Sequence, residues 1–587
     1  MVYMNKAAVA LVVLLLLSSV FVVVSEPVSA QSSGVIRIKA DGTVTGTDKI
    51  RQYGLVYTLT GDLYASVGQN EAFIFIEKSD ITLNGAGYTV QGTGGGSAIY
   101  MLRSQNVTVE NFIIQGFSRG IDFGVVENWP SDSNYLSYPS AFNNKIRNNK
   151  IEVSNNINES NQTRNAGWGV YLSDAIQTVI VDNNFTGHNP QGGVYLGNST
   201  KETSLIDNNF AGGGVYSLGS NQTRAVYGNT IDGKPLVYLD SKSNQIIENA
   251  GLVYLFNCSN IVVKNISPLY VYAVTIQLID TINSEISNSS GHVFLGNSNY
   301  NSIHDNQLNS ISLDASSHNK MFANKITGFS VCIKLYGGSS FNKIYGNLFL
   351  DTIYSKDAER VRKEGFNTAA IQLGDRQLGG SFNNDIHDNM IINHDCGFEF
   401  FLSSNNTLTA NIIKDCNAGI QLGRSHYNTV TENNITSCKY GISIYAESSN
   451  NTFHHNNFIN NQLQCVETHQ QTLLSDKETY AIGNTWDNGQ TGNYWDTYTG
   501  IDTNGDGIGD TPYRIFENMT DHYPLMKPFI STNANIPQPS QEIPPPTTEG
   551  PPKTILSKET SILIIAISII TGVTIGVLVY FRRLIFR

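Results

Sequence analysis

The sequence predicts an all-β fold, a right-handed parallel β-helix of roughly 18 coils, and three observations lead to that prediction. An apolar-x-x-Asn-x-apolar motif returns about every 22 residues. Short alternating strands such as Gly441-Ile-Ser-Ile444 lie between successive motifs. Asn accounts for 65 of the 587 residues and Gly for 52, which favours turns and extended chain over helix. The motif is centred on Asn183, Asn208, Asn306, Asn324, Asn347, Asn389, Asn411, Asn433 and Asn456.

A unit of this length holds two or three short strands and no helix. It buries its apolar face only when neighbouring units stack on it. A second Asn commonly precedes the central one by five residues, as Asn384 precedes Asn389. Asn side chains at equivalent positions of stacked coils form hydrogen-bonded ladders at the ~4.8 Å strand spacing. The Asn excess is therefore predicted to have a structural cause.

Both ends of the chain are hydrophobic, and each predicts a targeting or anchoring segment. An apolar run at 7–24 followed by small residues at 28–30 is typical of a secretory signal peptide. The uncharged stretch 562–581 is long enough to cross ~30 Å of hydrocarbon, and three arginines follow it. The predicted organisation is a signal peptide at 1–30, an N-terminal β cap at 31–79, β-helix coils at 80–490, a C-terminal cap at 491–530, a Pro-rich stalk at 531–560, a transmembrane helix at 561–581 and a basic cytoplasmic tail at 582–587.

This organisation predicts a single-pass cell-surface protein with its ectodomain outside and its C-terminus in the cytoplasm. Lys and Arg number 37 against 49 Asp and Glu, and this negative balance argues against a nucleic-acid partner. Thirteen Asn-x-Ser/Thr sequons predict a glycoprotein wherever those sequons are exposed. The expected partner is a polysaccharide, a surface glycan or a surface protein.

Three insertions delay the repeat, at 127–142, 152–166 and 352–366. Loops that leave a solenoid in this way wall grooves and often carry function. The charge-rich region 352–399 supplies carboxylates, His and Arg, the groups that act as acids, bases and charge stabilisers in polysaccharide chemistry. Solvated loop residues are the alternative interpretation of this charged set. The aromatic candidates for ligand binding are Trp129, Tyr135, Tyr138 and Trp168, and the catalytic candidates are Glu364, Asp375, Arg376, His387 and Asp388.

Residues 502–510 have the pattern that begins a calcium loop, with oxygen ligands at positions 1, 3, 5 and 9 and Gly at position 6. Position 12 is Tyr513 rather than Glu, and Asp521 is a candidate to complete the shell. A structural Ca²⁺ and a metal-free Asn/Gly turn are both compatible with this pattern. The predicted ligands are Asp502, Asn504, Asp506, the backbone carbonyl of Ile508 and Asp510.

Two further sets of residues recur in phase with the coils. One is expected to form an outward column of stacked side chains and consists of His304, Tyr345, His387 and His454. The other is Cys416 and Cys438, which lie one coil apart at matching positions, with Cys396 nearby. Neighbouring coils bring Cα atoms within disulfide range, and an inward stack of apolar thiols fits the same spacing. The pairing of these three cysteines stays open.

The coils at 80–490 and the closing segment 492–525 resemble those of the right-handed parallel β-helix proteins of NosD type, also described as CASH domains. The closing segment carries Gly492-Asn-Tyr-Trp-Asp496 and Asp521-His-Tyr-Pro-Leu525. This resemblance implies the β-helix fold and, for CASH domains, carbohydrate binding or sugar hydrolysis. The NosD name implies a role in supplying copper to a nitrous-oxide reductase. The chain has no Met- or His-rich copper motif, so copper is not expected as a cofactor.

Three functional hypotheses follow from the sequence. The first is non-catalytic binding of a carbohydrate or another cell-surface component by a membrane-anchored β-helix. The second is a polysaccharide lyase, hydrolase or epimerase that acts on acidic glycans. The third is a NosD-like accessory protein in copper-enzyme maturation. The chain lacks the Asp-Pro-His epimerase triplet and the pectin-hydrolase motifs, which favours the first hypothesis.

Overall fold

The computed structural model describes residues 34–530 apart from twelve segments. The predicted signal peptide, stalk, transmembrane helix and cytoplasmic tail lie outside the described residues, as do the candidates Trp129, Tyr135, Tyr138 and Glu364. Within the described residues, no helix is long and apolar enough to span a bilayer. The twelve segments are 102, 124–140, 155–166, 188–191, 217–218, 220–221, 269–273, 329–330, 351–368, 446, 469–482 and 517–518.

Parallel pairing between equivalent strands of successive coils builds the molecule. Ile344, Ile386, Leu408, Val430 and Phe453 are register partners in five consecutive coils, and all five side chains are fully buried. The residues on either side of each point outward, so one apolar position per strand fills the interior. The predicted all-β parallel β-helix is confirmed.

Two eight-stranded sheets run along the N-terminal half. The first sheet contains, in spatial order, Val44–Thr45, Ile36–Ile38, Ala72–Ile76, Ser97–Tyr100, Arg119–Asp122, Trp168–Leu172, Val194–Leu196 and Val215–Tyr216. The second contains Ile50–Tyr53, Val56–Leu59, Thr82–Asn84, Thr108–Glu110, Lys145–Arg147, Val179–Val181, Thr203–Ile206 and Thr223–Tyr227.

The third sheet has ten strands and continues the stack through the C-terminal half. Each of its strands, and each of the seven parallel strands of the second sheet, belongs to one coil. Their combined number agrees with the roughly 18 coils predicted from the repeat. Its strands are Ile246–Glu248, Val262–Lys264, Glu285–Ser287, Ser302–His304, Lys320–Phe322, Lys343–Tyr345, Asp385–His387, Thr407–Thr409, Thr429–Thr431 and Thr452–His454.

The fourth sheet is the longest and runs the length of the described coils. Its N-terminal strands are Leu63–Tyr64, Thr89–Gln91, Ile113–Phe117, Lys150–Val153, Asn184–Thr186, Asn209–Ala211 and Thr230–Ile231. Its C-terminal strands are Lys234–Asp240, Leu252–Phe256, Ile276–Ile279, Ser290–Gly296, Gln307–Asp314, Lys325–Ile326, Ile333–Tyr336, Leu348–Leu350, Ala369–Leu373, Met390–Ile392, Cys396–Phe401, Ile412–Lys414, Ala418–Gly423, Asn434–Thr436, Tyr440–Tyr445, Asn457–Ile459, Leu463–Thr468 and Tyr494–Trp495. Two small pairs complete the described strands, Ala141–Phe142 with Ala175–Ile176 and Tyr513–Phe516 with Met519–Asp521.

Two columns of Asn side chains, all buried except Asn484, join the coils of the C-terminal half. The Oδ1 atom of Asn411 accepts the backbone N–H of Asn389 at 3.0 Å and its Nδ2–H at 2.9 Å. Asn433 accepts the same pair of bonds from Asn411. The predicted Asn ladders are confirmed. The two columns are Asn301, Asn319, Asn342, Asn384, Asn406, Asn428, Asn451 and Asn484, and Asn306, Asn324, Asn347, Asn389, Asn411, Asn433, Asn456 and Asn493.

The residue before fifteen of these sixteen ladder Asn has a left-handed backbone, which explains the repeated Asn-Asn pairs. Asn383 has φ 56°, Asn405 φ 59° and Asn450 φ 56°. Among residues with a side chain, Asn and Asp adopt this conformation most readily. One Asn of each pair therefore makes the turn and the next enters the ladder.

The closing segment and the residues just before it cover the open C-terminal end of the core. Trp486 stacks on Phe453 with ring centroids 4.5 Å apart, and Trp495 stacks on Phe458 at 4.3 Å. Both indoles are 1% exposed. The buried Asp521 carboxylate accepts a hydrogen bond from the Trp495 Nε1–H at 2.8 Å, which fixes the indole over the last coil.

Candidate ligand-binding face

A row of polar side chains runs along the outer face of the fourth sheet. Each member stands between two inward apolar residues, as Lys334 stands between Ile333 and Leu335. The members are register partners in successive coils, so they follow one another at the ~4.8 Å strand spacing. This row, called the polar track, consists of Ser312, Lys334, Gln372, Glu399, Gln421 and Ser443, of which Ser443 is buried, at 5% exposure.

Lys334 and Asp375 form an ion pair on this face. The Lys334 Nζ lies 2.6 Å from the Asp375 carboxylate, which also accepts the Gln377 backbone N–H at 2.8 Å. Burial acts to raise the pKa of Asp375, but the hydrogen bonds from Lys334 and Gln377 outweigh it and hold the pKa below its usual value. The neighbouring Arg376 guanidinium lies over the Phe401 ring, 5.4 Å from its centroid. The turn after Leu373 therefore brings positive and negative charge to the edge of the track.

Glu399 lies near the centre of the polar track and is half-buried. Burial raises the pKa of Glu399, and the positive charges of Arg376 and Lys334 offset this only in part. Burial likewise raises the pKa of Tyr336 to about 12 and that of Tyr445 above its usual value. The site therefore holds a carboxyl group that retains its proton to higher pH than an exposed Glu, beside two phenols that stay protonated.

The predicted catalytic residues separate onto two faces. Asp375 and Arg376 adjoin the track, whereas His387 and Asp388 belong to the third sheet and its turn. Glu364 lies outside the described residues, so a catalytic role for this set stays a prediction. Asp375 and His387 are twelve residues apart, about half of a 22-residue coil, so they emerge on different sides.

The predicted outward column on the third sheet is confirmed and has an additional member, Phe322. His304 stacks on Phe322 at 4.7 Å, Phe322 on Tyr345 at 5.1 Å, and Tyr345 on His387 at 5.0 Å. The planes of these rings differ by 11° or less. His454 lies further along the same register, after Thr409 and Thr431.

Trp168 belongs to an aromatic cluster on the first sheet. Its indole packs at 5.4 Å from Tyr195 and 5.5 Å from Tyr216 and is 8% exposed. Tyr171 and Tyr195 stack at 4.6 Å, and Tyr216, at the end of the sheet, is 47% exposed. The cluster therefore offers a ligand the ring of Tyr216 more than the indole of Trp168.

A buried charge supports the base of this cluster. The fully buried Asp122 accepts hydrogen bonds from Arg119 at 2.9 Å and from the Ser97 hydroxyl at 2.6 Å. The Arg119 guanidinium lies over Tyr171, 4.1 Å from its ring centroid. This arrangement fixes the first ring of the stack in place.

The residues predicted for calcium lie in an exposed loop whose carboxylates bind the loop's own backbone. Asp502 accepts the N–H groups of Gly505 and Gly507 at 2.7 and 2.9 Å, and Asp510 accepts that of Thr503 at 2.9 Å. Among the described residues, three or more His, Cys, Asp or Glu side chains nowhere converge as a metal site. Asp521 does not join the loop, because its carboxylate accepts hydrogen bonds from the Asn493 N–H and the Trp495 Nε1–H. Calcium in this loop stays a prediction.

Asp506 and Asn504 complete the account of that loop. Asp506 accepts the Ile508 N–H at 2.8 Å, and Asn504 donates from Nδ2 to the Asp506 carboxylate at 2.9 Å. Ile508 pairs with Leu525 in an antiparallel bridge, which ties the loop to the segment after Asp521.

Comparison with known proteins supports the family resemblance over part of the chain. Residues 367–500 match the family model of the periplasmic copper-binding protein NosD. The resemblance to NosD-type β-helix proteins is confirmed for that part. No curated protein sequence matches the chain.

Several solved structures are similar to the chain at low identity and low TM-score. PfbA, a surface adhesin of Streptococcus pneumoniae, is 12% identical over 71% of this chain and 92% of its own, with a TM-score of 0.21. The tailspike protein of E. coli bacteriophage HK620, in complex with a pentasaccharide, is 11% identical over 68% of each chain, with a TM-score of 0.22. A mannuronic acid specific polysaccharide family 6 lyase from human gut microbiota is 12% identical over 70% of this chain and 85% of its own, with a TM-score of 0.21. Likeness of this degree says nothing about what the present chain binds.

Proposed function

We propose that this chain is a cell-surface protein, anchored by residues 561–581, that binds a polysaccharide along the polar track without catalysis. The observation that carries the proposal is the track itself. Its amides, hydroxyls and charges are hydrogen-bonding groups, repeated at the strand spacing along one line. An extended polymer that lies along the stack of coils presents its own polar groups at repeated intervals, so a straight row of such side chains suits it.

The aromatic residues are proposed as a second contact for the same ligand. Tyr216 is the most exposed ring of the first-sheet cluster, and the predicted Trp129, Tyr135 and Tyr138 precede that cluster in the chain. Aromatic rings combine a large apolar surface with a polar edge, which suits the mixed apolar and polar faces of a sugar.

The binding proposal is tested with glycan arrays and calorimetry on the full-length protein. Gln421→Ala removes one amide from the track and is expected to weaken binding of the identified glycan roughly five- to tenfold, the effect of about 1 kcal/mol for one hydrogen bond. Thr429→Ala is the matched control, because Thr429 points outward from the third sheet and is expected to leave the Kd unchanged. Equal losses in both variants, or no glycan bound, would contradict the proposal.

A catalytic role on the same face is the second candidate, and Glu399 favours it. A carboxyl group with a raised pKa suits general acid or base chemistry. Lys334 and Arg376 lie close enough to influence that pKa and would stabilise negative charge on an acidic glycan. This candidate predicts a lyase, hydrolase or epimerase.

Glu399→Gln separates the catalytic candidate from simple binding. If the protein turns over an acidic glycan, the variant is expected to retain binding and lose turnover, measured as unsaturated or reducing-end products. A wild-type protein that binds the glycan and releases no product supports the non-catalytic proposal.

Two metal roles complete the proposal. A structural Ca²⁺ held by Asp502, Asn504, Asp506, Asp510 and the Ile508 carbonyl would rigidify the closing segment, since these hard oxygen ligands suit that ion. A role in copper-enzyme maturation is favoured only by the family match at 367–500. It predicts sub-micromolar copper binding by the purified full-length protein, and failure to bind copper in equilibrium dialysis would remove it.

A further inference from the structure

Two cysteines face each other across adjacent coils. Lys414 pairs with Thr436 on one side, and Ala418 pairs with Tyr440 on the other. Both pairings lie two residues from a cysteine and show no shift of register, so Cys416 and Cys438 occupy equivalent positions. Strands paired in this way are ~4.8 Å apart, inside the Cα separation that a disulfide needs.

The two thiols also share one side-chain orientation. Each Sγ donates to the carbonyl two residues before it, Cys416 to Lys414 and Cys438 to Thr436, both at 3.4 Å. Side chains with the same orientation on stacked coils place their sulfurs one above the other. Neither cysteine forms a disulfide in the structure, and both are buried, at 3% and 2% exposure.

The contact between the two thiols affects their acidity. A hydrogen bond with the Cys416 thiol lowers the pKa of Cys438, and the same contact together with burial raises the pKa of Cys416. Cys438 is therefore the thiol of the pair that becomes a thiolate more readily, and thiolates are the nucleophiles in disulfide exchange.

The next coil shows what these positions hold when no thiol is present. Asn461 follows Cys438 in the column, accepts the Cys438 backbone N–H at 2.9 Å and donates to the Ile435 carbonyl at 3.0 Å. An Asn at either cysteine position would extend this third ladder. The cysteines make weaker thiol hydrogen bonds there, to the backbone and to each other, so the two coils lack the amide contact that the repeat readily supplies.

The geometry points to an inter-coil disulfide between Cys416 and Cys438, formed when the chain meets an oxidising compartment. The location outside the cell rests on the proposed function, but the bond itself does not depend on any ligand. The Cys438 thiolate attacks a low-molecular-weight or protein disulfide, and the Cys416 thiolate then displaces the mixed-disulfide partner. The two cysteines together lose two electrons and two protons, and the oxidant's disulfide becomes two thiols.

Such a bond would fix the two coils that carry the end of the polar track. Gln421 follows Cys416 by five residues and Ser443 follows Cys438 by five, each on the strand that starts just after its cysteine. A covalent link at the start of both strands holds these two track residues in register.

The test is a thiol count and a peptide map of the full-length protein. The reduced protein is incubated with oxidised glutathione, alkylated in denaturant and digested with trypsin. We expect the six reactive thiols to fall to four and the peptide 415–424 to appear joined to 425–439, two hydrogens lighter than the sum of the separate peptides. Six alkylated thiols, or a link to any other cysteine, would overturn the inference.

Cys396 supplies the matched control. It is also buried, at 4% exposure, but its register partner in the next coil is Ala418. Cys396→Ser is therefore expected to retain the link between 416 and 438, and Cys416→Ser to abolish it. Thiols are counted after the chains are unfolded. If Cys416→Ser folds poorly, the wild-type and Cys396→Ser proteins still test the link. Loss of the link in Cys396→Ser would count against the pairing.

Discussion

Replacement of Asn411 by Ala tests whether the amide ladder holds the coils together. The Asn411 side chain is fully buried. Its Oδ1 accepts two hydrogen bonds from Asn389, and its Nδ2 donates to the carbonyls of Ile386 and Thr409 and to Oδ1 of Asn433, all at 2.9 to 3.0 Å. Alanine removes these bonds and leaves the Asn389 backbone N–H without its acceptor in a dry interior.

The expected loss is large for a single substitution. Each hydrogen bond contributes about 1 kcal/mol net, and a buried donor left without a partner costs a further 1–3 kcal/mol or so. Several of the bonds share one donor or acceptor, so they do not add in full. We expect Asn411→Ala to lose roughly 3–5 kcal/mol of unfolding free energy.

Urea denaturation followed by circular dichroism measures this loss. Because a solenoid opens locally as well as globally, hydrogen exchange in the strands Asp385–His387 and Ile412–Lys414 is measured in parallel. Thr429→Ala is the matched control. Thr429 points outward from the third sheet, so its loss is expected to change stability by less than about 0.5 kcal/mol. If the two variants are equally stable, the ladder does not hold the coils and the reasoning fails.

Three further predictions concern the closing segment. Trp495→Ala removes the indole that stacks on Phe458 and is expected to cost about 3–5 kcal/mol and to expose the last coils to limited proteolysis; an unchanged digestion pattern would contradict the capping role. Burial raises the pKa of Asp521 from 3.8 to about 6. The protonated side chain therefore makes its full contribution to stability below pH 3.8, and about 3 kcal/mol of unfolding free energy is lost as the pH rises from there through 6. Urea unfolding at pH 4 to 7 is therefore expected to show a steeper decline in the wild type than in Asp521→Asn, and parallel profiles would refute this. Calcium is expected to raise the melting temperature of the wild type and not that of Asp502→Asn, and equal shifts would place the ion elsewhere.

Most of the fold could be predicted from the repeat in the sequence. A fixed phase of about 22 residues places Asn384 and Asn406 in one column and His304 and His387 in another, because equivalent residues of stacked coils must be neighbours. The same phase predicts nothing about residues half a coil apart. This is why Asp375 and His387, close in sequence and both chemically versatile, lie on different faces.

The polar track was missed for a different reason. Its signal is present in the sequence as the central polar residue of strands such as Ile333-Lys-Leu335 and Ile420-Gln-Leu422. Each of these strands is too short to be distinguished alone, whereas the insertion at 352–366 has the densest charge in the chain. Only the register between the strands shows that Lys334, Glu399 and Gln421 form one line.

The outward columns of the third and fourth sheets differ in what their side chains contact. On the third sheet, Tyr345 has Phe322 on one face and His387 on the other, so the ring faces a sugar would stack on are already occupied. Those contacts stabilise the coils themselves. On the track, Lys334 pairs with Asp375 and not with Glu399, which is held half-buried with a raised pKa. Burial disfavours the charged form of such a carboxyl group, and this cost is the reason to propose the polar track, rather than the column of the third sheet, as the ligand-binding face.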